Sequence, residues 1–515
     1  MVIRTHNLGG NVLHSNSTSA ERQGATAECH ADESSETASL LFGFIPIVPL
    51  AFLGLGVYRA WIEVAFVGTF VPFPFGTASV RDFFDSTMVV TSVLCALFAQ
   101  RIGTLVGRRS VLVATAALLV ASTACAFAAF WWPQSAASLG MAASVVGGIG
   151  IAFMILIWSE IYGSLNPLRV AAYYSFSIVA GALIIYMYEG FKFDWLFVMT
   201  SLLPIVAILC ARKAFSLLPS DSRPQRKPAA NLSVPWKAVL LMATYAFAYG
   251  LLENKSYGGG FGPHSSPGTL LAGALIFLGV CVRGKHFDFG LIYRGALPIT
   301  VAAFLLLPTF HIFNEAMSAL CISAGYTMQS ILIMIIIASI CYRYGASAIW
   351  LFGIERGVRQ IFMLLGRDTT QSLNSLALPA ESADFFISAL AIISVVAATM
   401  IFMSEKGLSS NWGAMLKSPE GTLEQDELRE KTPAERKHEL ATRVASVAQQ
   451  YGLSTREEEV LLLLGQKKTV GIIERELFIA NGTAKAHVRH IYQKLDIHSR
   501  QELFDMLGVE TDTAE

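Results

Sequence analysis

The sequence predicts an all-α chain, a polytopic bundle of about twelve membrane-spanning helices followed by a small cytoplasmic helical unit. Three observations lead there. Of the 515 residues, 54% are hydrophobic and only 15% charged, with a mean hydropathy of +0.52; a soluble domain usually carries about 25% charge. Apolar runs approaching the roughly 20 residues that cross a hydrocarbon core recur between residues 40 and 403. Beyond 403 the composition turns polar and mixed in charge. Basic and acidic side chains balance at 38 each, so net charge singles out no partner.

Residues 1–39 are rich in Ser, Thr, Ala and Glu and hold no apolar segment after a basic start, which predicts a disordered cytoplasmic tail rather than a signal peptide. His6, His14 and His30 are irregularly spaced and read as solvated. The apolar runs lie near 40–58, 83–100, 110–132, 139–159, 170–188, 195–211, 236–252, 268–282, 296–313, 316–340, 346–365 and 385–403. The shorter ones, above all the eighth, must borrow flanking residues to span. Loops after even-numbered runs carry Arg101, Arg108, Arg109, Arg169, Arg212, Lys213, Arg223, Arg226, Lys227, Arg283, Lys285, Arg294 and Arg343. Those after odd-numbered runs carry only Arg59, Arg81, Lys192, Lys255 and Arg367. The positive-inside rule therefore predicts a multi-pass protein of a bacterial inner membrane with both termini cytoplasmic.

The longest internal polar segment, 212–235, separates six runs (40–211) from six (236–403). This topology resembles the major facilitator superfamily. Gly107, Arg108 and Arg109 match that family's loop between the second and third spans, while Gln100 and Thr104 stand where the family has Gly and an acidic residue. Charges inside a membrane normally face a cavity or a partner. Glu355, Arg356 and Arg359 lie mid-run, with Glu355 and Arg359 four apart on one helical face. They read either as a paired structural cluster or as the lining of a ligand cavity between the halves. Glu160, following Trp158, is the next cavity candidate. The seven cysteines sit mostly in apolar runs without metal-ligand spacing, so no metal site is expected.

After a linker at 404–432, Pro433 can open a helix, and 433–515 forms the cytoplasmic unit. About 30 linker residues span roughly 30 Å if flexible, enough for this unit to stand clear of the lipid headgroups. Its key helix is predicted from the Asn481-Gly482-Thr483 turn signal to about Leu495, before Asp496. Ala484, Val488, Ile491 and Leu495 share one apolar face; Lys485, Ala486, Arg489 and Gln493 share the opposite one. Within 478–495 Lys485, His487, Arg489, His490 and Lys494 appear with no acid among them, which suits phosphate neutralisation.

This stretch resembles the helix-turn-helix domain of LuxR-type transcription regulators. Leu453, Arg456, Glu457, Glu459, Val460 and Leu461 stand at family positions, as do Thr483, Lys485, His487, Val488, Ile491, Lys494, Leu495 and Arg500. Three residues depart: Ala480 for Ser, Ala484 for Val and Glu474 for a small residue. Losing the Ser leaves the helix start uncapped unless Asn481 substitutes. The resemblance implies that Lys485, Ala486 and Arg489 face base edges, while Thr483, His487, Lys494 and Arg500 hold phosphates. It also implies homodimerisation on double-stranded DNA, with 501–507 as a contact helix.

The expected function is a membrane-embedded one-component transcription regulator whose bundle senses a small-molecule effector or a partner. The alternative is a secondary transporter with a regulatory tail. Nucleophile-elbow, phosphate-loop and metal-ligand motifs are absent from the sequence, so neither a catalytic role nor a cofactor is expected.

Overall fold

The computed structural model describes residues 48–67, 71–75, 77–219, 223–224, 234–256, 262, 264–283, 287, 290–309, 315–376, 379–402, 433–477 and 479–509. The tail expected over 1–39, half of the central linker and the linker at 404–432 lie outside them. Two compact units divide the chain, 1–46 and 47–515, and only the second contains described residues.

Twelve long helices occupy the apolar region among the described residues. In the first half they are α1 (Leu50–Val67), α2 (Thr77–Leu97), α3 (Arg109–Trp131), α4 (Ala136–Tyr162), α5 (Pro167–Glu189) and α6 (Phe193–Leu217). The second half has α7 (Trp236–Ser256), α8 (Pro267–Arg283), α9 (Gly290–Thr309), α10 (Glu315–Tyr344), α11 (Ala348–Ser375) and α12 (Ala380–Phe402). Seven are long and apolar enough to span a membrane by length and composition. Starts follow local chemistry. Asn166 caps α5 by accepting from the Arg169 N–H at 2.9 Å, with Pro167 in the first turn, and Ser347 caps α11 through the Trp350 N–H.

Several predicted boundaries move, three of them in the same way. The first run was expected at 40–58, but α1 begins after Pro49 and continues through Glu63 to Val67. α2 starts at Thr77 rather than 83, and α11 continues to Ser375 rather than ending at 365. The cause is common to all three. Arg59, Glu63, Arg81, Asp82, Asp85 and Arg367 look like helix ends to a hydropathy criterion, yet they stand within helices.

The two halves repeat one packing plan. Within the first, α1 packs on α5 and α6, α2 on α4, and α3 on α4 and α6. The second half reproduces each pair six helices later: α7 with α11 and α12, α8 with α10, and α9 with α10 and α12. The halves meet reciprocally, α2 against α11 and α5 against α8. Even the close crossings correspond. A Cβ on Gly56 of α1 would fall 2.1 Å from the Ser177 carbonyl of α5, and one on Gly250 of α7 would fall 2.3 Å from the Met363 carbonyl of α11. Small residues let those backbones touch where membrane helices gain little from apolar burial. α3, α6 and α12 are peripheral, exposing apolar side chains such as Val113, Leu209, Ile393 and Met400, while α1 and α10 are largely enclosed. The molecule is thus a multi-pass, six-plus-six helical bundle.

The C-terminal unit comprises α13 (Pro433–Gln450), α14 (Thr455–Gly465), α15 (Val470–Leu477), α16 (Asn481–Leu495) and α17 (Arg500–Leu507). Val460, Leu461, Leu463, Ile473, Ile491, Leu495 and Leu503 form its core. Rather than standing clear of the bundle, this unit is seated on it, α13 against α10 and α15 against α5.

Candidate nucleic-acid interface and buried charge network

α14 opens on a reciprocal cap. The Ser454 hydroxyl accepts the Glu457 N–H, and the Glu457 carboxylate accepts the Ser454 N–H at 2.8 Å. Arg456 bridges to Glu459 at 2.5 Å and donates to the Leu477 carbonyl at 2.6 Å, tying α14 to the end of α15. These contacts hold the frame from which α16 projects.

α16 spans the predicted residues, and its C-terminus stops at Asp496 in the left-handed region (φ 52°). Ala484, Ile491 and Leu495 are buried and Val488 is half-buried, whereas Lys485, Arg489 and Gln493 are exposed. Thr483 is exposed at the helix start, and Ala486 and His487 are half-exposed. An open groove of about 610 Å³ runs beside this face, with Lys485, Arg489 and Tyr492 in its lining. Burial, then the charges of Arg456 and His490, pulls the His487 pKa down, which favours the neutral imidazole as a hydrogen-bonding group.

The other two expected phosphate ligands are already committed to the protein. Lys494 donates to the Glu457 carboxylate at 2.7 Å and to the Gly452 carbonyl at 3.1 Å. Arg500 donates to the Lys468 carbonyl at 2.8 Å and lies over the Phe504 ring. Both close turns of the scaffold, so the charge open to a ligand on α16 is concentrated at Lys485 and Arg489.

The departure at Glu474 turns out to have a partner in Asn481. Asn481 does not cap α16. Its side-chain amide donates to the Glu474 carboxylate at 2.7 Å, while Ala480 occupies the cap position with no side-chain bond. Glu474 is therefore accommodated by a polar contact in place of close small-residue packing.

In the bundle, Glu355 and Arg359 pair at 3.2 Å as their spacing predicts, and Arg356 lies 3.8 Å from the same carboxylate. Arg359 also donates to Ser330 of α10 at 3.2 Å, and Ser330 meets the Tyr174 hydroxyl at 3.3 Å. A second network was not anticipated. Arg367 pairs with Asp85, lies 3.1 Å from Asp82 and 3.5 Å from Glu253, and Glu253 pairs in turn with Arg81. It joins α2 of one half to α7 and α11 of the other. One signal was available: Arg356, Gln360, Met363 and Arg367 recur at i, i+4, i+7 and i+11, a mostly polar stripe continuing past the predicted end of the run.

Between the networks is a cavity of about 90 Å³ lined from both halves. Arg81, Asp85, Tyr249, Glu253, His264, Tyr326, Arg356 and Gln360 supply its polar wall. Ile62, Val67, Phe84, Met88, Ile155 and Met363 supply the apolar one. Of the expected lining residues only Arg356 reaches it; Glu355 and Arg359 sit behind. Glu160 lies elsewhere, accepting the Leu105 N–H at 3.0 Å and the Val106 N–H at 2.8 Å, and so fixes the turn between α2 and α3. Glu63, buried in α1, accepts from the His264 N–H and the Ser265 hydroxyl, which pins the segment before α8 beside the cavity. Among the described residues, no group of three or more His, Cys, Asp or Glu is arranged to hold a metal.

Residues 451–507 match the family described as bacterial regulatory proteins, luxR family, and the C-terminal unit is accordingly a LuxR-type helix-turn-helix domain. No curated protein matches the chain. Among solved structures, the chain is similar to a bacterial homologue of the iron transporter ferroportin in an outward-facing state, with 13% identity and a TM-score of 0.47 over 68% of this chain and 96% of that one. It is similar to the E. coli fucose:proton symporter, with 12% identity and a TM-score of 0.47 over 68% and 96%. A third, the human organic anion transporter, gives 17% identity and a TM-score of 0.47 over 68% and 98%.

Proposed function

We propose that this chain is a membrane-embedded one-component transcription regulator. Its C-terminal domain binds double-stranded DNA as a homodimer, and its twelve-helix bundle senses a small-molecule effector. The observation that carries the reading is the LuxR-type domain over 451–507 on the same chain as the bundle, with Lys485 and Arg489 exposed on α16. A guanidinium and an ammonium on an otherwise acid-free helix face suit guanine edges and flanking phosphates. The effector site is the cavity between the halves, where buried donors and acceptors lie beside an apolar wall. The reaction inventory is binding and conformational change, with no catalytic step.

Both termini lie on the cytoplasmic side of a bacterial inner membrane in this reading. The long helices take in Arg59, Arg81, Lys255 and Arg367 of the residues counted after odd-numbered runs, and Arg109, Arg169, Arg212, Lys213, Arg283, Arg294 and Arg343 of those counted after even-numbered ones. With both sets trimmed alike, Arg101, Arg108, Arg223, Arg226, Lys227 and Lys285 follow even-numbered helices in the sequence and Lys192 follows an odd-numbered one, so the bias keeps its sign. The bundle end that bears Arg101, Arg108 and Arg343 then faces the cytoplasm and its DNA.

The test is genome-wide mapping of sites occupied by the tagged full-length protein, compared with transcripts after its deletion. Occupied palindromic sites next to transcripts that change are expected; no enriched site under any growth condition overturns the reading. A second reading, secondary transport, is favoured by the carboxylates of Asp85 and Glu253 buried between the halves. Substrate flux into vesicles that survives loss of 434–515 would select it.

A further inference from the structure

The end of α10 and the C-terminal domain cap one another. A helix C-terminus leaves its last carbonyls without intrahelical donors and carries partial negative charge. Two such carbonyls of α10 are satisfied by the domain: Lys437 of α13 donates to the Tyr342 carbonyl at 3.3 Å, and Gln466, just after α14, donates to the Arg343 carbonyl at 3.1 Å. Lys437 also lies over the Tyr342 ring, 4.9 Å from its centroid. The exchange runs the other way too. The Arg343 guanidinium donates to the Glu476 carbonyl near the end of α15, in the field of the buried Glu459 and Glu476 carboxylates. This contact abuts the turn that launches α16.

Two further features distinguish it from a static joint. Arg343 Nε and Glu476 Oε2 are buried without hydrogen-bond partners, so the contact is under-satisfied. In addition, α10 is one continuous helix from Glu315 to Tyr344. It carries Tyr326 in the cavity wall and Ser330 on Arg359 before reaching Arg343 about 20 Å further on.

We propose that this reciprocal cap is a regulatory latch: docked, it holds the helix-turn-helix domain against the bundle in a state of low DNA affinity, and movement of α10 releases it. The sign follows from electrostatics. A duplex carries one negative charge per ~1.7 Å and has to approach a docked domain beside an anionic lipid surface, within reach of its repulsion. Release removes that cost and frees the domain to pair with a second copy. The inference rests on the regulator reading above.

The test uses full-length protein in nanodiscs and a duplex bearing the sequence most occupied in the genome-wide map. Arg343→Ala, and separately Lys437→Met with Gln466→Ala, are expected to speed hydrogen exchange in the last turn of α10 and in α13. Each should raise duplex affinity about tenfold, with Arg343→Lys between wild type and Arg343→Ala. Unchanged exchange across α1–α12 outside that last turn of α10 shows that the bundle remains folded. Opened exchange with unchanged or weakened affinity overturns the latch, as does a wild-type α10 terminus that is already unprotected. If neither wild type nor any variant binds a mapped duplex, the regulator reading fails and takes the latch with it; binding indifferent to the variants removes the latch alone.

Discussion

Lys494→Met separates the role implied by family resemblance from the one seen in the fold. Resemblance makes Lys494 a phosphate ligand, and its removal then weakens DNA binding and leaves stability alone. In the structure its ammonium closes α16 onto the cap of α14 through Glu457 and the Gly452 carbonyl. The Glu457 side chain is 7% exposed and that of Lys494 is 40%. A charge-assisted hydrogen bond contributes about 1.5–3 kcal/mol. Half of this pair is wet, and solvent screening reduces that to about 1–2 kcal/mol. At ~1.4 kcal/mol per factor of ten, exchange of the α14 and α16 amides in the full-length variant at pH 7 should accelerate about 5- to 30-fold. A pH arm checks the cause. Burial pushes the Glu457 carboxyl up, but the Lys494 bond and the Ser454 donors outweigh it and hold the pKa at about 2, down from the ordinary 4.5. A carboxyl depressed in the fold contributes stability that is complete above its unfolded value, and that is lost as pH falls through the folded one. Wild-type protection, corrected for intrinsic rates, should therefore hold down to about pH 4.5 and decline towards 2, while the variant declines less. Unaltered exchange together with weakened duplex binding would refute the structural role and restore the phosphate one.

Three other substitutions have definite signs. Ala480→Ser supplies the missing cap of α16 and should slow exchange in that helix's first turn by about 1 kcal/mol equivalent; no slowing means that the Asn481–Glu474 contact holds Ala480 where a hydroxyl cannot reach the free N–H groups. Arg489→Ala should cost about 1–3 kcal/mol of duplex affinity and relax preference at one base pair, and a base-substitution series with an unchanged profile would count against an edge contact. Arg367→Gln leaves Asp85 buried without the cation it pairs with, and Glu253 dependent on Arg81, a loss on the order of 3–5 kcal/mol. It should lower the melting temperature of the detergent-solubilised protein, with Asp85→Asn in the same chain restoring part of it; equal melting of single and double variants would show that the network does not act as a unit.

The readability of this sequence varied with the reach of each interaction. The bounds of α16 were legible because turn chemistry and a 3.6-residue apolar period are local, and Ala484, Ile491 and Leu495 are buried as that period requires. The pairing of Glu355 with Arg359 was legible for the same reason, being one helical turn long. Arg367 was not, because its partners lie on α2 and α7, and a hydropathy window truncates a helix where a charge appears. Lys494 and Arg500 show the limit from the other side. Their positive charge can be counted in a sequence, but whether it is spent on the Gly452 and Lys468 carbonyls depends on turns that no period announces. Ala480 and Glu474 looked like two defects; the Asn481 bond makes Glu474 an accommodated substitution and leaves Ala480 as the real one.

The latch also bounds what an effector has to do. Three hydrogen bonds, two from charged donors and all at a part-buried seam, hold it closed. At about 0.5–1.5 kcal/mol net for each, it is worth roughly 1.5–4.5 kcal/mol. A ligand shifts such an equilibrium only by its difference in affinity for the two states. At ~1.4 kcal/mol per decade, a discrimination between about 10- and 1600-fold releases the domain. The closed cavity offers that leverage. At about 90 Å³ it is far below the roughly 300–1,000 Å³ that usual small-molecule sites occupy. In the proposed regulator, an effector of ordinary size would therefore have almost no affinity for the closed bundle and would bind only as the walls part. Tyr326 of α10 is one of those walls, so the free energy that opens the cavity acts on the same helix that carries Arg343.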